Sequence, residues 1–574
     1  MFKKNTKHSQ PELFGLFNTL PERMKKKIKQ SEEYTFYKLI FCNIKEDIFS
    51  ELYSEKKSRP NAPVNTMLSA LILMHRYNWT YEELFKNIEF NILTKIALGV
   101  DCIEEMPFCP ATLFNFQNRL SKHFAETGEN LFEKVFDQLT EKQLKALKIK
   151  TNIQRTDSFA AASNIRNYTR LQLLVELVLR IFRVLSEEDK KRFRKQFDPY
   201  INKTSGQYIY SLGAQHIPHE IEKIAQLYYW IDQNLKPLYK DLEIFKTFER
   251  VYAEQFTVSE QKIEIKPAER IPSSSVQSPD DLDAVYRNKN GKEIRGQSIN
   301  VVETANPENP VNLITDVSVH PANKDDSKVL AERLSRLKEK TPELEELHFD
   351  GAYGSSENDR ELEKAGITPV QRGVRGPKPS VEMKIEKVGE KTYTVSCPRQ
   401  SVTSTPTRKR YKAVFSLSVC KGCPLRSSCP TIKRKSGRLF YFSHELYLAL
   451  KRQKAVEGLP EERRKLRCNI EATVKEFSCK MPRRKLKLRG AFKASVFAFT
   501  VAIGINFGRI FRLIQVDPSY WKLAFHYFAI FVKDQWIILR RFWANLVHLC
   551  RIRYPDIYFS KMYQNYGSLK AISF

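Results

Sequence analysis

The sequence predicts a multidomain α/β protein: a mixed sheet flanked by helices, interrupted by a helical insertion and a cysteine-bearing β insertion, and preceded by an α-helical region. Three observations predict it. A chain of 574 residues is too long for one ordinary core. After about residue 149, runs with the two-residue period of strands are interleaved with runs at helical spacing, the pattern of a sheet with helices on its faces. Before residue 149 the pattern is helical.

Taken in order, the helical pattern runs from about Pro60 to Phe124. Within it Thr80-Tyr-Glu-Glu83 fits a capping box, which starts a helix at Tyr81. Pro110 suits the first turn of another helix, whose polar positions Thr112, Asn115, Gln117, Asn118, Arg119 and Lys122 are able to meet DNA. Helix-turn-helix and a plain bundle both fit. Ile149, Thr151, Ile153, Arg155 and Asp157 then alternate along one face of a strand predicted to end at Asp157. Leu171 to Leu185 is apolar except for Glu176, Arg180 and Arg183, and opens an inserted helical unit reaching about Glu254.

A Ser/Pro segment, Pro272 to Pro279, leads to strand-like runs at Gln297–Val302 and Val311–Val319. A helix over Asp325–Lys340, a strand ending at Asp350, a helix over Ser356–Ala365 and a short strand at Ile367–Val370 follow. Strand, strand, strand, helix, strand, helix, strand is the skeleton of an RNase H-like domain. From Gly373 to Ser443 the chain is β-like and basic. Helix returns from Pro460 to Phe477, with Ile470, Val474 and Phe477 as its buried stripe and Arg467, Glu471 and Lys475 on a neighbouring face. The predicted units are a helical DNA-binding region (1–148), a core in two pieces (149–163 and 255–372), the helical insertion (164–254), the cysteine-bearing β insertion (373–443), a core completion carrying Glu471 (444–515) and an aromatic helical tail (516–574).

Lys+Arg of 96 against Asp+Glu of 66 leaves a net charge of +30, which points to a polyanionic partner, double-stranded DNA first, with solubility as the competing reason for the excess. The start, MFKKNTKHSQPELF, lacks a secretory pattern, so a cytoplasmic protein is expected. Ala494 to Gly508 is apolar but shorter than the roughly 20 residues of a spanning helix, so a buried helix and no membrane partner are expected. Lys480, Arg483, Arg484, Lys485, Lys487 and Arg489 form an acid-free basic run suited to phosphates. Arg463, Arg464 and Lys465 lie upstream, and Lys433, Arg434, Lys435 and Arg438 follow the cysteines. A solvated charged face is the alternative for each run.

In Leu347-His-Phe-Asp-Gly-Ala-Tyr353, apolar Leu347 and Phe349 make a strand, Asp350 ends it, Gly351 permits a turn and Ser355 or Ser356 can cap the next helix. Ligands of open α/β sheets lie beyond the carboxyl ends of strands, so Asp350 is placed for chemistry, although an aspartate also simply turns a chain. Asp157, Asp350 and Glu471 together could hold Mg²⁺, two ions about 4 Å apart, for displacement at phosphorus. For Glu471 a helical salt bridge with Arg467 or Lys475 competes. Ten cysteines with no export pattern read as thiols or a metal site. Cys420-x₂-Cys423 with Cys429 and Cys397 suits tetrahedral Zn²⁺, with reduced structural thiols as the alternative.

Thr156-Asp157-Ser158, His348-Phe-Asp350-Gly-Ala-Tyr353, and Arg467-Cys-Asn-Ile-Glu471 with the basic stretch ending Arg489-Gly490 resemble the three acidic motifs of bacterial insertion-sequence transposases, DDE enzymes with an RNase H-like core. Pro60 to Phe124 resembles their N-terminal domain, and the cysteine-bearing insertion is similar to one found in a subset of them. The third motif departs from the Tyr-x₂-Arg-x₃-Glu-x₆-Lys of many relatives: Arg464 takes the tyrosine position and Ser478 the lysine position, with Lys475 or Lys480 as substitutes.

The resemblance implies binding of the element's terminal inverted repeats, strand hydrolysis with Mg²⁺ (or Mn²⁺) held by Asp157, Asp350 and Glu471, and joining of 3′-hydroxyls to target DNA. Arg119, Lys122, Arg467, Lys475 and the run Lys480 to Arg489 are the DNA-contact set. A homodimer on DNA is expected because two ends must be handled together. A repressor with a dead core, and a nuclease of the same fold without strand transfer, are the alternatives.

Overall fold

The computed structural model describes residues 1–9, 15–56, 58–259, 262–289, 291–372, 381–389, 391–408 and 410–520. The tail expected to be helical over 516–574 lies outside the described residues beyond 520.

Four N-terminal helices matter for the site: α1 (Val64–Tyr77), α2 (Tyr81–Phe90), α3 (Pro110–Thr127) and α4 (Leu131–Ala146). The Thr80–Glu83 capping box forms as expected, with both reciprocal bonds, and Pro110 occupies the first turn of α3. Helix α1 is buried from Val64 to Met74, because its sequence is apolar or small on every side.

The main sheet is mixed. Strand β1 (Ile153–Ala162) is the hub. Beyond an inserted hairpin, β2 (Phe256–Ser259) and β3 (Lys262–Ile265), come β4 (Val285–Lys289), β5 (Lys292–Thr304) and β6 (Ile314–Pro321). β7 (Glu346–Asp350) and β8 (Thr368–Arg372) complete the order β4-β5-β1-β7-β8, with β6 also paired to β5. β1 runs antiparallel to β5 and parallel to β7, and β7 runs parallel to β8. Strand β4 was not foreseen, and β5 is longer than the apolar run Gln297–Val302 because its first residues are polar hairpin residues.

Helix α8 (Asp326–Lys340) and α9 (Ser356–Lys364) cover one face, where Val302, Leu334, Leu347 and Phe349 pack together. Between β1 and β2 the insertion contributes helices α5 (Arg170–Val184), α6 (Ile217–Asn234) and α7 (Glu243–Gln255). They form their own apolar core, and Phe256, Ile263, Ile265 and Val276 join it. The boundary expected at 254 therefore falls inside this unit: hydrophobic packing carries the insertion through the β2–β3 hairpin.

The cysteine-bearing segment forms two small sheets, β9 (Lys384–Gly389), β10 (Thr392–Cys397) and β11 (Gln400–Thr403) in one, and β12 (Thr405–Pro406), β13 (Tyr411–Phe415), β14 (Ile432–Arg434) and β15 (Gly437–Phe442) in the other. Ile385, Tyr393, Val395, Phe415 and Phe442 give both a common core. Helix α10 (His444–Glu457) returns the chain to the main sheet, where Arg452 pairs with Asp359 of α9 at 2.6 Å.

The expected helix over Pro460–Phe477 is broken. A short turn at Glu461–Lys465 and a 3₁₀ segment at Leu466–Asn469 precede α11 (Ile470–Ser478), whose buried residues are Ile470, Thr473 and Phe477, with Val474 only half-buried. Helix α12 (Ala491–Val516) is 26 residues long, longer than the apolar stretch read in the sequence, and apolar enough by length and composition to cross a membrane. Here 83% of its most apolar window is buried. It lies between the N-terminal helices and the sheet: Phe36, Met67, Leu71, Phe136, Ile299, Val317, Phe499 and Ile503 belong to one cluster. Each such side chain removed from water contributes roughly 1.5–3 kcal/mol, which makes this continuous core the principal tie between N-terminal region and sheet.

Candidate active site

Side chains alternate along β1 and β7, which sorts polar from apolar residues by face. On β7, Leu347 and Phe349 point into the α8–α9 core, and His348 and Asp350 point the other way. Asp350 is the last residue of its strand, as expected. Asp157 is not: β1 continues to Ala162, held by antiparallel pairing with β5 along residues 154–162. The expected strand end at Asp157 is thus corrected, since Ser158 to Ala162 contain no glycine or proline and pair with β5 throughout.

The two aspartates nevertheless stand side by side. β1 and β7 pair from Ile153↔Glu346 to Arg155↔His348, a register that brings Asp157 level with Asp350 where β7 ends. Among the described residues β1 then has no strand partner on that side until Ala162 meets Lys485. The opening is covered by the 3₁₀ segment and α11.

Buried polar contacts fix that cover. Arg155 pairs with Glu303 at 2.6 Å and donates to the carbonyl of Leu466 at 2.8 Å. Glu303, fully buried on β5, also accepts from Thr473 of α11 at 2.6 Å and pairs with Arg509 of α12 at 2.7 Å; Arg509 reaches Glu476 of α11 at 2.6 Å. A buried carboxylate with this many donors anchors both helices to the sheet. Beside it Arg463 pairs with Glu346 at 2.9 Å, and Glu346 accepts from buried His348 at 2.6 Å.

Arg467 is the centre of the arrangement. One of its terminal nitrogens, Nη2, lies 3.2 Å from Asp157 Oδ2 and 3.8 Å from Asp350 Oδ2, so these oxygens are within about 7 Å of each other. Its Nη1 lies 3.7 Å from Glu471 Oε1. The three acids expected to meet are therefore drawn around one guanidinium, and the helical Arg467–Glu471 pair offered as the alternative is present as well. The oxygens not facing Arg467 are engaged locally: Asp157 Oδ1 accepts from the Ser158 backbone N–H at 2.9 Å and Asp350 Oδ1 from that of Ala352 at 2.8 Å.

Exposure of the carboxylates rises from 15% at Asp157 to 33% at Asp350 and 70% at Glu471, so the site opens on the helix side. Burial pushes the Asp157 carboxyl up to about 6 against the pull of Arg467 and the Ser158 N–H, and Asp350 and Asp326 add to the rise. Asp326, buried at the start of α8, accepts from Ser158 Oγ at 2.6 Å. Sequence reasoning missed Asp326 and Glu303. A charged residue next to an apolar strand run was the only trace of Glu303, and nothing marked Asp326 beyond a helix start.

The four cysteines Cys397, Cys420, Cys423 and Cys429 line one small cavity with Val381, Met383, Phe415 and Leu425. Burial raises the Cys420 thiol above its ordinary range, opposed by Arg438 and reinforced by the other three thiols. The four cysteines grouped in the sequence thus face one cavity.

The basic residues divide. Arg119 and Lys122 are exposed on α3, Arg119 with its guanidinium 5.0 Å from the Tyr53 ring and Lys122 3.7 Å from Glu126. Lys475 is exposed one turn beyond Glu471. Lys480 is half-buried with its amine on the Arg76 carbonyl, and Lys485, Lys487 and Arg489 donate to the carbonyls of Ile165, Asn78 and Asn164 at 3.1, 3.2 and 2.8 Å. They stitch the loop to the fold. Arg483 and Arg484, at φ 57° and 58°, are exposed and make no ion pair among the described residues.

Comparison with protein families gives two matches. Residues 390–511 match a family described as a transposase DDE domain, and residues 23–119 match one described as a transposase domain. No curated protein and no solved structure matches the chain. The chain thus carries transposase-family domains, which support DNA binding, DNA cleavage and transposition in general, with metal-dependent nuclease activity as a trait of the DDE family. The first match contains Glu471, Arg467 and the cysteine cluster; Asp157 and Asp350 lie outside both.

Proposed function

We propose that this chain is a DDE transposase with an RNase H-like core that binds the terminal inverted repeats of an insertion sequence, cleaves its ends and joins the freed 3′-hydroxyls to target DNA. The observation that carries the proposal is the convergence of Asp157, Asp350 and Glu471 on the guanidinium of Arg467. Three carboxylates from three elements, their outer oxygens turned to one positive charge, are the donor set of a hard divalent cation. By donor type, Asp157, Asp350 and Glu471 would hold Mg²⁺ (or Mn²⁺) in this reading. When bound, such ions supply activation of the attacking oxygen and charge stabilisation of the leaving one.

The chain's own groups prepare that chemistry. The Ser158 and Ala352 N–H groups fix one oxygen of each aspartate, so the other is oriented before any substrate arrives. Arg467 balances the negative charge of the acids, and a planar guanidinium released from them matches a phosphate bidentately. Arg483, Arg484, Lys475, Arg119 and Lys122 are exposed cations for the DNA backbone; Lys485, Lys487 and Arg489 are exposed too, with their side chains donating to backbone carbonyls. Lys480, Lys485, Lys487 and Arg489 serve mainly to hold the loop. A homodimer in the cytoplasm, handling two element ends together, belongs to the same proposal.

In the cysteine unit, Cys397, Cys420, Cys423 and Cys429 are right in number and chemistry for Zn²⁺, and the apolar wall of their cavity suits a structural thiolate site. A strand-transfer assay with precut ends tests the function. Joined products with Mg²⁺ support the transposase; end cleavage without joining indicates a nuclease, and end binding with neither indicates a repressor.

A further inference from the structure

A second group of ligand-type side chains lies in the N-terminal region, away from the acids around Arg467, and its reading does not depend on the proposed catalysis. Glu51, His123 and Glu129 each offer one donor atom, and the three atoms lie within 4.8 Å of one another. They come from three segments. Glu51 is on the 3₁₀ turn Glu46–Leu52, which is packed against α3 through Phe49 and Phe116, ring centres 5.8 Å apart. His123 is near the end of α3, and Glu129 follows Gly128, whose left-handed conformation (φ 73°) turns the chain back past that end.

A carboxylate pair alone would be an ordinary surface cluster; the histidine is what distinguishes this one. The His123 residue is 9% exposed, and its buried Nε2 has no hydrogen bond of good geometry, Glu129 being its one near acceptor among the described residues. The Glu129 Oε2 oxygen lies 3.5 Å from it, close enough for charge attraction and poorly placed for a hydrogen bond. An orphaned buried imidazole nitrogen costs free energy unless a partner fills the gap. Glu129 keeps its other oxygen on Lys134 at 2.5 Å, which leaves one oxygen for a ligand.

We propose that Glu51, His123 and Glu129 bind a divalent transition-metal ion of zinc's class. One imidazole and two carboxylates suit such an ion, whereas Mg²⁺ favours an all-oxygen set. Three protein donors leave coordination positions for water, and the ion clamps the end of α3, the helix that carries Arg119 and Lys122, to the 3₁₀ turn beside it.

The test is zinc uptake by the full chain, dialysed with Zn²⁺ in the presence of excess Mg²⁺ and counted by elemental analysis. Glu51→Gln, at an exposed position that leaves packing intact, and His123→Ala should each bind about one equivalent less than the parent. A Cys420→Ser/Cys423→Ser chain should keep that equivalent, and in it Zn²⁺ should raise the thermal midpoint. Adding Glu51→Gln to the cysteine variant should abolish the rise. Parent-level zinc in either Glu51→Gln or His123→Ala, or a Zn²⁺-induced rise that survives Glu51→Gln in the cysteine variant, overturns the site.

Discussion

Arg467 Nη2 lies 3.2 Å from Asp157 Oδ2, and the same guanidinium reaches Asp350 and Glu471. A charge so placed offsets the repulsion of three acids that would otherwise disfavour one another's ionisation. It also makes Arg467 and a divalent cation alternative sources of the same compensation.

Arg467→Gln should therefore be less stable than the parent in chelator by about 3 kcal/mol, the scale for breaking a largely buried ion pair. Mg²⁺ should recover most of that difference, because it stabilises the variant more than the parent. Urea melts with and without Mg²⁺ measure it, and equal stabilisation of both proteins would contradict the account.

Asp157 gives a pH signature. Its folded value of about 6 exceeds the ordinary aspartate range, so between pH 4 and 6 the folded state binds more protons than the unfolded one. This group's contribution to stability is therefore lost as pH rises through that window. Asp157→Asn should be more stable than the parent at pH 7 in chelator, by on the order of 3 kcal/mol, with the gap closing below about pH 4. Chemical denaturation of the pair across pH 4–7 checks it; a gap independent of pH would show that Asp157 ionises normally.

Glu303 joins Arg155, Thr473 and Arg509 below the site. Glu303→Ala removes the buried carboxylate shared by Arg155 and Arg509, leaving them the Leu466 carbonyl and Glu476, and should cost roughly 3 kcal/mol. Hydrogen exchange should show α11 losing protection before the β1–β5 ladder does. Uniform loss would mean that Glu303 supports the whole sheet and not that helix in particular.

Much of this arrangement was legible in the sequence, and the failures have physical causes. Asp350 could be placed because a strand end followed by glycine is a local signal. Asp157 was read as a strand end too, but strand length is set by the partner, and β5 pairs with β1 through Ala162. The break before α11 left no proline or glycine trace, since it is fixed by Arg155 holding the Leu466 carbonyl. Charge runs located the basic loop without sorting it: Lys485, Lys487 and Arg489 cap carbonyls distant in sequence, which composition does not reveal.

That sorting predicts DNA-binding behaviour. Arg483→Ala and Arg484→Ala should each weaken binding and reduce the log–log salt slope by about 1, as expected for lost phosphate contacts. Lys485→Ala and Lys487→Ala should change the slope less and lower the thermal midpoint more. Fluorescence anisotropy across a salt series, with melting curves, separates the two groups; identical slopes for all four variants and the parent would contradict the division.

The most direct measurement is strand nicking of DNA carrying the element's ends, in Mg²⁺, by the parent and by Asp350→Asn, with end binding measured alongside. The parent should nick, and the variant should bind the ends nearly as well while its nicking falls to background. Nicking by Asp350→Asn at the parent's rate would contradict the claim that the acids around Arg467 perform the chemistry.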